Sequence, residues 1–151
     1  MKTGTKPAFE LLLTRVIDAP RERVFEAWSK PELVARWFAP QPYTLPRCEM
    51  DFRTGGRFSM AMRSPEGQEH SFTGVYREVT PPSKLVWTGE FPYGPADQIR
   101  TTVTFEEEGK KTKVTVCQTF SVLTPETEPH TKGAVQGWTA TLDQLQALCE
   151  G

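Results

Sequence analysis

The side chains in this chain that could do chemistry are few and scattered. Glu49 and Asp51 stand two residues apart, which on a strand puts both carboxylates on one face, close enough for acid–base work. Arg47 and Arg53 continue that face, and such an alternation of charge is the pattern of an ion-paired, solvated exterior. His70 shares parity with Phe72 and could project inward as an acid, a base or a ligand anchor; its place beside the Pro65-Glu66-Gly67 turn favours exposure instead. Ser29, Ser59, Ser64, Ser71, Ser83 and Ser121 show no G-x-S-x-G elbow, and no Cys adjoins a His, so nucleophilic catalysis has no local signature. Cys48, Cys117 and Cys149 are an odd number, widely spaced and without a C-x-x-C pair; they read as small apolar residues rather than as disulfides or metal ligands. With only His70 and His130 to add to them, no metal site is expected. Gly55-Gly56 lacks the Lys and Ser/Thr of a phosphate loop and reads as a tight turn. Neither a catalytic residue nor a cofactor emerges from these groups.

The elements that would position them follow from periodicity. Phe9 to Ile17 is rich in apolar and β-branched residues and ends at Asp18-Ala19-Pro20. That is a strand followed by a helix start, with Glu22 at the positive end of the dipole and Val24, Phe25 and Trp28 on one face. Ser29-Lys30-Pro31-Glu32 has the form of a capping box and predicts a second short helix to about Trp37, stopped by Pro40-Gln41-Pro42. From Tyr43 to Phe120 the period is two. Arg47 to Arg53 alternates, with Cys48, Met50 and Phe52 pointing one way, and Phe58, Met60 and Met62 repeat the pattern. Further strands are expected at 68–79, 84–91, 98–107 and 111–120, separated by Pro81-Pro82, by Pro92-Tyr93-Gly94-Pro95 and by a Glu-Gly-Lys hairpin at 108–110. Finally Val135, Trp138, Leu142, Leu145 and Cys149 form one stripe on a long helix, with Gln136, Thr139, Asp143 and Gln146 opposite. The fold class is therefore α+β: a seven-stranded antiparallel sheet with one apolar face, curved around the one helix long enough to cover it.

Composition bounds the rest. The 151 residues carry 18 basic and 19 acidic side chains, a balance that argues against a basic nucleic-acid binder or an acidic tail. One domain of this size can bury roughly two thirds of its unfolded surface and needs no disulfide or metal. Nothing in MKTGTKPAFE has the apolar core of a signal peptide, and no stretch approaches a membrane span, so a soluble cytoplasmic protein is expected, without membrane or nucleic-acid partners. Monomer and homodimer are both left open.

The landmarks resemble a known family. Asp18-Ala19-Pro20-Arg21-Glu22-Arg23-Val24-Phe25-Glu26-Ala27-Trp28, then Pro31-Glu32-Leu33 and Trp37, are similar to the opening of the START-like, or SRPBCC, superfamily. Glu49 to Arg53 with Gly55-Gly56, Gly74 to Val79 before Pro81-Pro82, Leu85-Val86-Trp87, Gly137-Trp138 and Leu142 to Leu145 resemble its branch related to the C-terminal domain of the activator of the heat-shock protein 90 ATPase. The resemblance implies a helix-grip fold with a cavity between sheet and helix. In that branch ATPase activation belongs to a larger protein with a separate N-terminal domain, for which this chain has no room, so a heat-shock chaperone ranks last among the expected partners.

By parity, the inward-facing set is Met50, Phe58, Met60, Phe72, Tyr76, Trp87, Phe91, Val103, Phe105, Val116 and Gln118, with Trp138, Leu142 and Leu145 from the helix. These either pack solid or line a cavity, for which the adaptable methionines and aromatics and the space at Gly74 argue. Trp37, Phe38 and Pro40 are expected at its mouth, with the loop from Phe91 through Tyr93 to Pro95 as a lid. The expected function is binding of an apolar or aromatic small molecule, oriented by Tyr76, Gln118 and His70. A cyclase, aromatase or hydrolase of polyketide-like substrates ranks second, as some relatives of the superfamily are.

Overall fold

In the computed structural model the backbone is described at residues 9–90, 99–120 and 128–151, and so are the side chains, apart from those at 90 and 128–133. The first strand, β1 (Phe9–Ile17), leads into two short helices, α1 (Arg21–Ser29) and α2 (Pro31–Trp37). Six strands follow: β2 (Thr44–Met50), β3 (Arg57–Arg63), β4 (Glu69–Thr80), β5 (Lys84–Glu90), β6 (Ile99–Glu108) and β7 (Lys111–Phe120). Helix α3 (Glu128–Glu150) ends the chain. All pairings are antiparallel, in the order β1-β7-β6-β5-β4-β3-β2. A meander from β2 to β7 is thus extended by β1, and α1 and α2 carry the chain from one sheet edge to the other. This is the α+β architecture that the two periodicities imply, and the helix-grip layout that the resemblance implies.

Alternation decides which face is dry. On β7, Thr112, Val114, Val116 and Phe120 are buried on the face towards α3, as are Thr101, Val103 and Phe105 on β6 and Leu11 and Ile17 on β1. On the opposite face of β1, Leu12 and Val16 are exposed. β4 has an irregularity between Tyr76 and Glu78, where Arg77 is one residue more than β5 can pair. The extra residue reverses parity, so Tyr76 and then Val79 reach the core, and it adds to the bend of the sheet. A second irregularity, between Thr44 and Arg47, falls on the edge strand β2 at Pro46, which has no N–H to give to a ladder.

The helix follows its stripe. Trp138, Leu142, Leu145 and Cys149 are buried, and burying side chains of this kind contributes roughly 1.5–3 kcal/mol each. Arg15, on the inner face of β1, ties the sheet to the helix through Nη1, 2.6 Å from Asp143 Oδ1 and 3.0 Å from Gln146 Oε1. Trp37 is 1% exposed and its indole N–H donates to the Ala27 carbonyl at 2.9 Å, fixing α2 on α1. The 108–110 hairpin turns at Gly109, whose φ of +64° suits glycine.

Three expectations change. Ser29 does not cap α2: it closes α1, its hydroxyl donating to the Glu26 carbonyl at 2.8 Å, while Lys30 is the N-cap and Pro31 the first helical residue. Pro at that position fixes the start by its own φ, so no side-chain cap is needed. β2 begins and ends three residues before the expected 47–53, because residues 51–56 fold into the turn that carries Gly55-Gly56. Val135 is 43% exposed, so the buried stripe of α3 begins at Trp138.

Candidate ligand cavity

The carboxylate pair is exterior. Glu49 and Asp51 are exposed, and Asp51 accepts from Arg53 Nε at 3.0 Å, with Arg53 Nη2 2.9 Å from its other oxygen. The thiols are no better placed for chemistry. Burial pushes those of Cys48 and Cys149 up to about 11, so both are protonated at neutral pH. Among the described residues, no cluster of His, Cys, Asp and Glu could hold a metal ion.

The space between the sheet and α3 is hollow at one end. A cavity of about 840 Å³ opens there, walled by β3 to β7 on one side and by Ala134, Gly137, Trp138 and Thr141 of α3 on the other. Trp28, Val34 and Trp37 of the short helices close its flank. Trp28, Trp37, Trp87 and Trp138, all the tryptophans of the chain, line it. Around Trp28 the rings of Trp37, Phe105, Trp87 and Trp138 stand at centroid distances of 4.6, 5.7, 6.0 and 6.3 Å. The Trp28 indole N–H is buried there without an acceptor among the described residues.

Eight of the thirteen expected ligand contacts lie on this wall: Trp37, Phe58, Met60, Phe72, Tyr76, Trp87, Gln118 and Trp138. Three do not. Met50 packs beside the Leu45, Phe58 and Tyr76 cluster near the sheet edge. Phe105 lies under the rings of Phe25 and Trp28, at 5.2 and 5.7 Å. Leu142 is 1% exposed within the solid core. Phe91 and Tyr93, with the expected lid, lie outside the described residues. His70 is exposed and borders the cavity with Ser71 and Tyr43, marking the mouth. Burial raises the Tyr76 phenol well above the ordinary tyrosine range, with the nearby Cys48 adding to the shift, so it is a neutral group on the wall.

Helix α3 holds the rim of the mouth. The Gln144 amide donates to the carbonyls of Trp37 at 2.8 Å and Ala39 at 2.9 Å and accepts from the Gln41 N–H at 2.8 Å. Thr141 donates to the Phe38 carbonyl at 3.2 Å. The carbonyls left unpaired where α2 ends are thereby satisfied, and Phe38 and Pro40 are held at the cavity.

Residues 18–150 match the model of the family described as Activator of Hsp90 ATPase homolog 1-like protein. The chain belongs to that family. No curated protein matches it. Among solved structures, a protein from Chromobacterium violaceum is 29% identical with a TM-score of 0.80, covering 95% of this chain and 99% of its own. One from Nitrosomonas europaea is also 29% identical, with a TM-score of 0.79 and 92% of each chain covered. An AHSA1-like protein from Aeromonas hydrophila is 25% identical, with a TM-score of 0.75 over 92% of this chain and 90% of its own. No described helix of this family member is long and apolar enough to cross a membrane.

Several wall residues of this family member were not in the inward set. Ile99 and Thr101 share the parity of Val103, and Gly89 that of Trp87, so extending each alternation by one or two steps reaches them. Gly74 behaves otherwise than expected. A Cβ there would stand 2.4 Å from the Phe58 ring and 2.4 Å from the Thr88 carbonyl oxygen, so Phe58 already fills the space. The open positions are Gly89, where a Cβ would meet only the Thr73 carbonyl at 3.8 Å, and Gly137, where it would meet nothing within 4 Å.

Proposed function

We propose that this protein binds a small, largely apolar molecule in the cavity between sheet and helix. The observation that carries the reading is the cavity itself: about 840 Å³, walled by four tryptophans, within the roughly 300–1,000 Å³ range of small-molecule sites. Native interiors are normally close-packed, so a space of this size calls for an occupant. Two glycines support the reading. Gly89 and Gly137 both line the cavity and neither is required by a close neighbour, although glycine inside a helix costs about 1 kcal/mol relative to alanine. Packing gives no reason for them, and both leave the cavity open.

Binding is favoured over catalysis. On the described wall the titratable side chains are Tyr43, His70 and Tyr76, and among the described residues none of them hydrogen-bonds another titratable group that could tune or orient it. The ATPase activation named in the family's description concerns that homologue, and no feature of the cavity calls for it.

The test blocks the cavity without disturbing the core. The neutral dye N-phenylnaphthylamine should brighten on binding the native protein and receive excitation from its tryptophans. Gly89→Leu should abolish both signals while leaving the melting temperature at or above that of the native protein. A dye that does not bind the native protein, or that binds Gly89→Leu equally, refutes the proposal.

A further inference from the structure

The wall is mostly apolar and aromatic, and apart from Thr73, Thr141 and the mouth residues Tyr43, His70 and Ser71 it carries one polar pair. On β7, Val114, Val116 and Phe120 point inward and are buried, and the residue that interrupts them is Gln118; on β6, Ile99, Val103 and Phe105 are interrupted by Thr101. The two interruptions stand opposite each other in register, and Gln118 Nε2 donates to Thr101 Oγ1 at 3.0 Å. Thr101 is 0% exposed, and both residues line the cavity. Stability does not call for such a pair, since two apolar residues of like shape are about neutral or better than a buried polar couple. Their mutual bond also leaves much unused. Gln118 is the partly exposed member of the pair, and its second amide proton and amide oxygen have no partner among the described residues, while the fully buried Thr101 holds the amide in place.

Those unused groups define a complement. A ligand group that meets them both donates and accepts, as a hydroxyl does. In the same register line, Trp87 is next to Thr101 and Tyr76 next to Trp87, with adjacent strands about 4.8 Å apart. A flat ring against Trp87 would therefore carry its substituent over the Thr101–Gln118 pair. Charge is excluded from the same place. No Asp, Glu, Lys or Arg lines the cavity among the described residues, and an ionised group buried without a partner is strongly disfavoured.

Resting on the cavity reading above, we infer that the ligand is an uncharged ring system bearing a hydroxyl, inserted hydroxyl-first onto the Gln118 amide, which Thr101 positions from behind. Its ring lies among the tryptophans, and any polar remainder faces the mouth at His70. Naphthalene, naphthol and naphthoate, titrated calorimetrically into the intact protein, separate the contributions of ring, hydroxyl and charge. Naphthol should bind about tenfold more tightly than naphthalene, the usual worth of one good hydrogen bond, and naphthoate more weakly than naphthol. Gln118→Met should reduce naphthol to the affinity of naphthalene, Thr101→Val should shrink the hydroxyl advantage by freeing the Gln118 amide to turn, and both should leave naphthalene unchanged, which also reports that the variants are folded. Equal binding of naphthalene and naphthol by the native protein, naphthoate as the tightest ligand, or a hydroxyl advantage that survives both substitutions overturns the inference. The native comparison decides it even if a variant fails to fold. Failure of all three while N-phenylnaphthylamine still enters the cavity overturns the hydroxyl anchor alone; failure of every probe overturns the cavity reading as well.

Discussion

The two ends of the space between sheet and helix are built on the same backbone elements and packed in opposite ways. At one end Val103 and Phe105 of β6, Val114 and Val116 of β7, and Leu142 and Leu145 of α3 are all at most 1% exposed. A step along each element lies the hollow end: Ile99 and Thr101 on β6, Gln118 on β7, Gly137 and Trp138 on α3. The elements run through both regions, so side-chain volume decides which part is solid. Side chains at the solid end hold the fold, and the hollow end is free to vary without endangering it.

The strongest way to break that division is to remove volume where none is spare. Leu145 is 0% exposed and belongs to the buried core with Val103, Phe105 and Val116. Leu145→Ala should cost about 2–5 kcal/mol, the transfer term plus the cavity left behind, and lower the melting temperature accordingly. Below its melting point the variant should bind N-phenylnaphthylamine as the native protein does. Lost binding in a folded Leu145→Ala protein would show that the two ends are not separable.

A smaller effect is expected at the seam between them. Gln144 belongs to the helix face that grips the cavity rim through three backbone groups. Gln144→Leu leaves the Trp37 and Ala39 carbonyls and the Gln41 N–H without that partner, at about 1–3 kcal/mol. Unlike Leu145→Ala, it should weaken dye binding along with stability, because Phe38 and Pro40 lose their hold on α3. Melting and dye titration of the same sample distinguish the two cases.

The sequence made the solid end far more legible than the hollow one. A two-residue period in β6 and β7 and a 3–4 step in α3 report which face is buried, and burial at the solid end follows from that alone. Whether inward residues touch is a different question, set by distances across the space that no local pattern encodes. Phe105 and Trp87 have the same inward parity and comparable size, yet Phe105 lies beneath Phe25 and Trp28 while Trp87 faces the cavity. Glycine is ambiguous for the same reason. Gly74 and Gly89 are paired neighbours on adjacent strands, and only the fold reveals that Phe58 occupies the first while the second is open. The Ser29 capping signal failed for a local reason: Pro31 starts α2 by its own geometry, and the serine hydroxyl serves the helix before it.

The mildest substitution sharpens the comparison most, because it changes the hollow end by a single methyl group. Gly137 lies within α3, and a Cβ there meets no atom within 4 Å. Gly137→Ala should therefore gain the full helical preference of alanine, about 1 kcal/mol, with no clash to offset it. For a chain of this length that is a rise of about 2–4 °C in melting temperature. The added methyl borders about 840 Å³ of space, so dye affinity should change less than twofold. The same methyl at the solid end would have to displace packed neighbours, where overpacking costs about 1–3 kcal/mol. A fall in melting temperature for Gly137→Ala would mean that this part of the cavity is already filled, and that the distinction between the two ends is wrong.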